Sequence, residues 1–166
     1  MNYKRNGTRE YFVGVDPSLT GNAIVIIDER GEYIEGKLIA SHKDCYLNGE
    51  QRVWDVFNQV KYIANVVRLD SVYIEGLSYM SVSPTLFERC ALLYSILMFL
   101  LEREVKYKII PPMTLKKFVT GHGHAKKDQM MTAIKDRWGM EFTDDNLADA
   151  YGLARMALTN RGKSVY

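Results

Sequence analysis

The chain has 166 residues, 47% hydrophobic and 25% charged; this is the profile of one ordinary globular domain and excludes a disordered, collagen-like or low-complexity chain. Two cysteines, Cys45 and Cys90, are too few and too far apart for a disulfide framework or a metal clip, so a buried free thiol at Cys90 and a reducing cytoplasmic home are expected. The net charge of +2 excludes little, and no apolar run reaches the roughly 18 residues of a membrane span.

Residues 1–9 read as a basic, flexible tail without the apolar core of a signal peptide. Tyr11 to Val15 (YFVGV) is a short apolar run stopped by Asp16-Pro17, a buried strand. Gly21-Asn22 marks a turn, Ala23 to Ile27 a second strand and Tyr33 to Ile39 a third; links this short predict an antiparallel meander. From Glu50 to Leu69 apolar residues recur at helical spacing, Ser71 to Glu75 is a fourth strand, and Pro84 opens an apolar helix to about Arg103. Tyr107 to Ile110 is a fifth strand ended by Pro111-Pro112. Helices over Met113–Thr120, Ala125–Trp138 and from about Asp144 to Leu158 follow, the first two separated by Gly121-His122-Gly123-His124. Strands alternating with helices in the second half imply parallel pairing there. The expectation is an α/β fold, one five-stranded mixed sheet with strands 1–3 antiparallel and strands 4 and 5 parallel, flanked by helices.

Charge is unevenly spread. From Arg103 to Arg137 nine Lys or Arg face three acids, whereas the remainder holds thirteen basic and seventeen acidic residues. A basic segment in a mildly acidic body points to a polyanion-binding face, beside the plainer reading of solvated helices.

Three carboxylates stand where a core carboxylate is costly. Asp16 directly follows YFVGV, Glu75 directly follows SVYI, and Asp149 lies within the apolar stretch LADAYGLARMAL; unpaired acids at such positions are neutralised by a cation or face a cleft. Asp145 and Asn146, four and three residues before Asp149, project toward nearly the same helix face. Oxygen-only ligands favour Mg2+, with Mn2+ as a substitute, and two such ions about 4 Å apart suit phosphodiester hydrolysis. Plainer roles stand beside this one: an N-cap for Asp145, a turn for Asp16 before Pro17, an ordinary strand end for Glu75. Jointly the placements favour a metal site.

Four stretches then carry a family likeness: VGVDPSLTG (13–21), SVYIEG (71–76), PPMTLKKFVTGHGHAKKDQM (111–130) and NLADAYGLA (146–154). In this order they resemble the RuvC-type Holliday-junction resolvases of the ribonuclease H-like nuclease superfamily, and look like a phage or other viral-type member. Each motif alone is weak; the set is specific and spans nearly the whole chain. The resemblance implies a single nuclease domain over 1–166, a homodimer, and Mg2+-dependent paired nicks in four-way DNA junctions that leave a 5′-phosphate and a 3′-hydroxyl. It carries the ligand role onto Asp16, Glu75 and Asp149. Where many relatives have an acid three positions before the last aspartate, this chain has Asn146, so Asp145 becomes the charged candidate and Asn146 a neutral helper.

For DNA contact the candidates are Lys116, Lys117, His122, His124, Lys126 and Lys127, with Lys127 on the lysine of the family motif; the glycine loop lets backbone approach phosphate. A zinc clip at His122 and His124 is disfavoured, since only His42 remains as a third histidine. Tyr79 is the candidate to wedge into the junction centre. The helix over Leu86–Leu101 is apolar on nearly every face, as for a helix covered by its own sheet and a partner subunit. Neither a membrane nor a small-molecule cofactor is expected. Rival readings are a branched-DNA nuclease of relaxed selectivity and a junction-binding protein that has lost catalysis.

Overall fold

The computed structural model describes residues 10–39, 41, 48–66, 69–77 and 84–162. Among these residues the order is β1 (Tyr11–Asp16), β2 (Asn22–Asp28), β3 (Tyr33–Ile39), α1 (Gly49–Val66), β4 (Ser71–Glu75), α2 (Leu86–Glu102), β5 (Lys106–Ile110), α3 (Pro112–Thr120), α4 (Lys127–Trp138) and α5 (Asp145–Thr159). The strands form one sheet in the order β3-β2-β1-β4-β5. β1 pairs antiparallel with β2 and parallel with β4, β2 pairs antiparallel with β3, and β4 pairs parallel with β5, as the alternation of elements implies. The basic N-terminal residues 1–9, His42, Cys45 and Tyr79 lie outside the described residues.

Alternation along each strand sorts side chains onto two faces. Val13, Val15, Ile24, Ile26, Val72 and Ile74 meet α1 and α2. Phe12, Ala23, Val25, Ile27, Tyr73 and Ile110 meet α3, α4 and α5. α5 is therefore a core helix, with Ala148, Ala150, Tyr151, Leu153 and Ala154 all fully buried between the sheet and α3 and α4. Glycine makes both contacts possible. A Cβ on Gly14 of β1 would lie 1.8 Å from the Ala150 carbonyl oxygen, and one on Gly152 of α5 would lie 2.9 Å from Val119 Cγ2 and 3.1 Å from Leu115 Cδ1 of α3. No larger residue permits such approach without moving the helix.

Local chemistry starts and stops these helices. Pro112 opens α3, where its missing N–H costs nothing. At the other end Arg137 of α4 donates to the Phe118 and Val119 carbonyls at 2.5 and 2.8 Å. Asp144, not Asp145, caps α5, accepting from the Asn146 and Leu147 amides at 2.9 and 3.1 Å; a cap of this type is worth about 1 kcal/mol. Asp145 is thereby the first helical residue, which rules out the capping role considered for it.

Two further expectations are corrected. Asn22 is the first residue of β2 and fully buried rather than part of an open turn, and neither of its amide atoms has a hydrogen-bond partner. Cys90 is a free thiol but only half-buried. Within the chain the sheet covers α2 on one side only, as expected, and Phe87, Tyr94, Met98 and Leu101 are 86, 64, 65 and 54% exposed. Among the described residues no helix is long and apolar enough to cross a membrane.

Candidate active site

The last paired residues of the two central parallel strands are Val15 and Ile74. One residue further, Asp16 and Glu75 leave adjacent strands at the same sheet edge. Both share the parity of Gly14 and Tyr73, so both face α5. There the Gly14 contact holds α5 against the strand, and Asp149, between the buried Ala148 and Ala150, completes the set. Carboxylate oxygens of Asp16, Glu75 and Asp149 lie within 4.8 Å of one another. The loop leaving Asp16 is tied to α1 by buried Arg52, whose Nη2 donates to the Leu19 and Ser41 carbonyls at 3.0 Å each.

Crowding three half-buried acids has an electrostatic cost, which appears in their proton affinities. Burial, then the charge of Asp16, pushes Glu75 up from 4.5 to about 9. Asp149 rises from 3.8 to about 7, again by burial first and then the charges of Asp16 and Asp145. Asp16 is raised by burial too, but it accepts a hydrogen bond from the Glu75 carboxyl and feels Arg89, both of which favour its charged form. Without a cation the trio therefore keeps protons near neutrality. Among the described residues three carboxylates converge with no sulfur or imidazole, the donor set of a hard divalent ion.

The remaining expected residues fall into three groups. Lys116 of α3 is close enough to Glu75 and Asp149 to favour their charged forms, and Lys127 at the start of α4 does the same for Asp149. Lys127 Nζ is bonded to the Asp145 carboxylate, so Asp145 stands beside the trio without joining its oxygens. Asn146 abuts the β1–β2 turn: a Cβ on Gly21 would lie 2.7 Å from its Nδ2. Lys117, His122, His124 and Lys126 are exposed on α3 and the loop to α4. His122, with Thr120, also lines a groove of about 300 Å³ whose α4 wall carries Asp128 and Asp136, so the basic segment is not basic on every side.

Arg89, in the first turn of α2, escaped the sequence reading although its charge bears on Asp16. No motif marks it; its proximity depends on how α2 packs against the sheet. Exposed Met113 at the start of α3 and Ile109 at the end of β5 also stand near this edge, 54 and 43% exposed, and isolated apolar residues carry no sequence signal of that kind.

Comparison with known proteins converges on one family. The family model described as crossover junction endodeoxyribonuclease RuvC matches residues 12–159. A protein of Prochlorococcus marinus (strain NATL1A) bearing that name is 28% identical over 155 residues, covering 86% of this chain and 94% of that protein. Among solved structures, Thermus thermophilus RuvC in complex with a Holliday junction substrate has a TM-score of 0.73 at 20% identity, over 91% of this chain and 92% of that one. Fowlpox virus resolvase, solved with its substrate Holliday junction DNA, has a TM-score of 0.57 at 14% identity, over 89% and 98%. These likenesses show a shared RuvC-type, ribonuclease H-like fold.

Proposed function

The chain belongs to the RuvC family of crossover junction endodeoxyribonucleases, and from that premise we propose that it resolves four-way DNA junctions by paired nicks in opposing strands, with Mg2+ as its ion and Mn2+ able to substitute. The observation that carries the reading is the meeting of Asp16, Glu75 and Asp149 at the ends of two parallel strands, beneath a helix bearing Lys116 and Lys117.

The trio fits a divalent ion by donor type, by convergence and by the repulsion that an ion would relieve. When bound, the ion supplies Lewis acidity, lowering the pKa of an attacking water and stabilising charge on the phosphate. The protein's own groups do the rest. Asp16, Glu75 and Asp149 would hold the ion, Glu75 doing so as the ionised carboxylate. Lys116 pairs with the scissile phosphate, and Lys117, His122, His124, Lys126 and Lys127 hold the flanking backbone, contacts that orient a strand without reading its sequence. We assign Tyr79 the wedge role at the junction centre.

The exposed stripe of α2 supports a homodimer. Phe87, Ala91, Tyr94, Met98 and Leu101 are all exposed, and their alternating steps of four and three residues are the pattern of a helix that pairs along a seam. A two-fold dimer would present two such sites to opposing strands.

The deciding experiment uses purified protein, a labelled four-way junction and a matched duplex, with and without Mg2+. Symmetric junction nicks only with Mg2+ or Mn2+ are expected, and Asp16→Asn should abolish cutting while junction affinity stays within about twofold, since no phosphate contact is lost. Equal cutting of duplex would favour the relaxed nuclease, and binding without cutting the catalytically impaired binder.

A further inference from the structure

This inference rests on the nuclease reading above and concerns how many divalent ions the site holds. An oxygen-only cluster of this type was expected to take two. Three observations argue otherwise.

The oxygens that converge are those of Asp16, Glu75 and Asp149, and the next acid along α5, Asp145, already has a cation, the Lys127 ammonium. A second divalent ion would have to evict that lysine. Among the described residues it would then find Asp145 as its one unshared carboxylate, because residue 146 is a neutral asparagine and Asp144 caps α5. Asn146 is also engaged elsewhere: its amide lies against Gly21, docking the start of α5 onto the β1–β2 turn.

Charge balance points the same way. Once ionised, as binding a cation would require, Asp16, Glu75, Asp149 and Asp145 bring four negative charges, and Lys116 and Lys127 bring two positive charges within their reach. The surplus of two is the charge of one divalent ion. Widening the circle to Asp144 and Arg89, which also act on Asp16, adds one charge of each sign and leaves the surplus unchanged. With Lys127 kept at Asp145, a second divalent ion would leave two positive charges over in a partly buried site, and a phosphodiester returns only one, so the second ion and the lysine exclude one another. Uncompensated charge in such surroundings is expensive.

We infer that each site of this chain holds one divalent ion, on Asp16, Glu75 and Asp149, and that the ammonium of Lys127 at Asp145 takes the place of the second. Lys127 is thus a tethered cation on the acid cluster as well as a residue of the DNA face. Its side chain is 78% exposed, so substitution there leaves the core untouched.

Counting Mn2+ on the dialysed, DNA-free protein tests this, by calorimetry and by the electron paramagnetic resonance signal of unbound Mn2+. Wild type should bind one Mn2+ per chain. Lys127→Met, which keeps the stem and removes the charge, should bind a second with affinity at least about tenfold above any second event in wild type, a factor equal to about 1.4 kcal/mol. Adding Asp145→Asn to Lys127→Met should return the count to one. Two ions on wild type, or one on Lys127→Met, overturns the inference and leaves the nuclease assignment standing. No Mn2+ on wild type overturns the metal-dependent nuclease reading and this inference with it.

Discussion

Replacing Glu75 by glutamine should make the ion-free protein more stable while abolishing its activity. The Glu75 carboxyl is held protonated, its affinity moved from 4.5 to about 9 by burial and by Asp16. A raised carboxyl pKa means that the native state binds more protons than the unfolded chain between those two values, so stability falls as pH rises through that window. At pH 7 the unfolded side chain is ionised and the native one is not. The 2.5 pH units above the unfolded value correspond to about 3 kcal/mol at 1.36 kcal/mol per unit. Glutamine avoids this cost because it has no proton to lose and its amide N–H can still donate to Asp16. In a chain of this length about 3 kcal/mol is roughly 6–12 °C in Tm. Thermal melts in chelator from pH 4 to 9 should show no gap between variant and wild type near pH 4.5, and a gap that widens up to about pH 9. Mg2+ should raise the wild-type Tm far more than the variant's. A gap independent of pH, or a variant less stable throughout, would refute the view that these carboxylates are crowded into one charge-starved site.

Two further outcomes follow from packing. Gly14→Ala places a methyl 1.8 Å from the Ala150 carbonyl oxygen, so α5 must move; a loss of about 3 kcal/mol or more in urea unfolding is expected, toward the upper end for overpacking, with Mn2+ affinity falling in parallel. Tyr94→Glu with Met98→Glu puts charge on the exposed α2 seam, where both side chains already face water. Sedimentation should show a monomer with little change in Tm, and junctions nicked on one strand at a time.

Much of the frame was legible because strand signals here are short apolar runs ended by a charged or Pro-Pro stop. Asp16 and Glu75 could be placed at one edge as soon as β1 and β4 were taken as parallel neighbours, and the register bears this out. What could not be read depends on tertiary approach. Asn22 has the composition of a turn residue, yet pairing with Ile39 draws its backbone into β2 and buries its side-chain amide without a hydrogen-bond partner. Asp144 and Asp145 are equivalent as strings, and only the backbone decides that the first caps and the second meets Lys127. The stripe on α2 was hidden by the helix's uniform hydrophobicity, since Leu92, Leu93, Ile96 and Leu97 are as apolar as the residues left outside. Arg89 gave no local cue at all.

The absence of a side chain at Gly152 has a further reach. Because the Leu115 and Val119 side chains of α3 settle directly onto that bare stretch of α5, the lysines on one helix and the acid on the other are held apart by a single layer of side chains. On the proposed function this seam would act as a fixed gauge: a strand gripped along α3 would be offered to Asp149 at one offset, and grip and cut could not drift apart independently. Evolution or engineering that sought a different cutting offset would have to begin at this seam, not at the acids themselves.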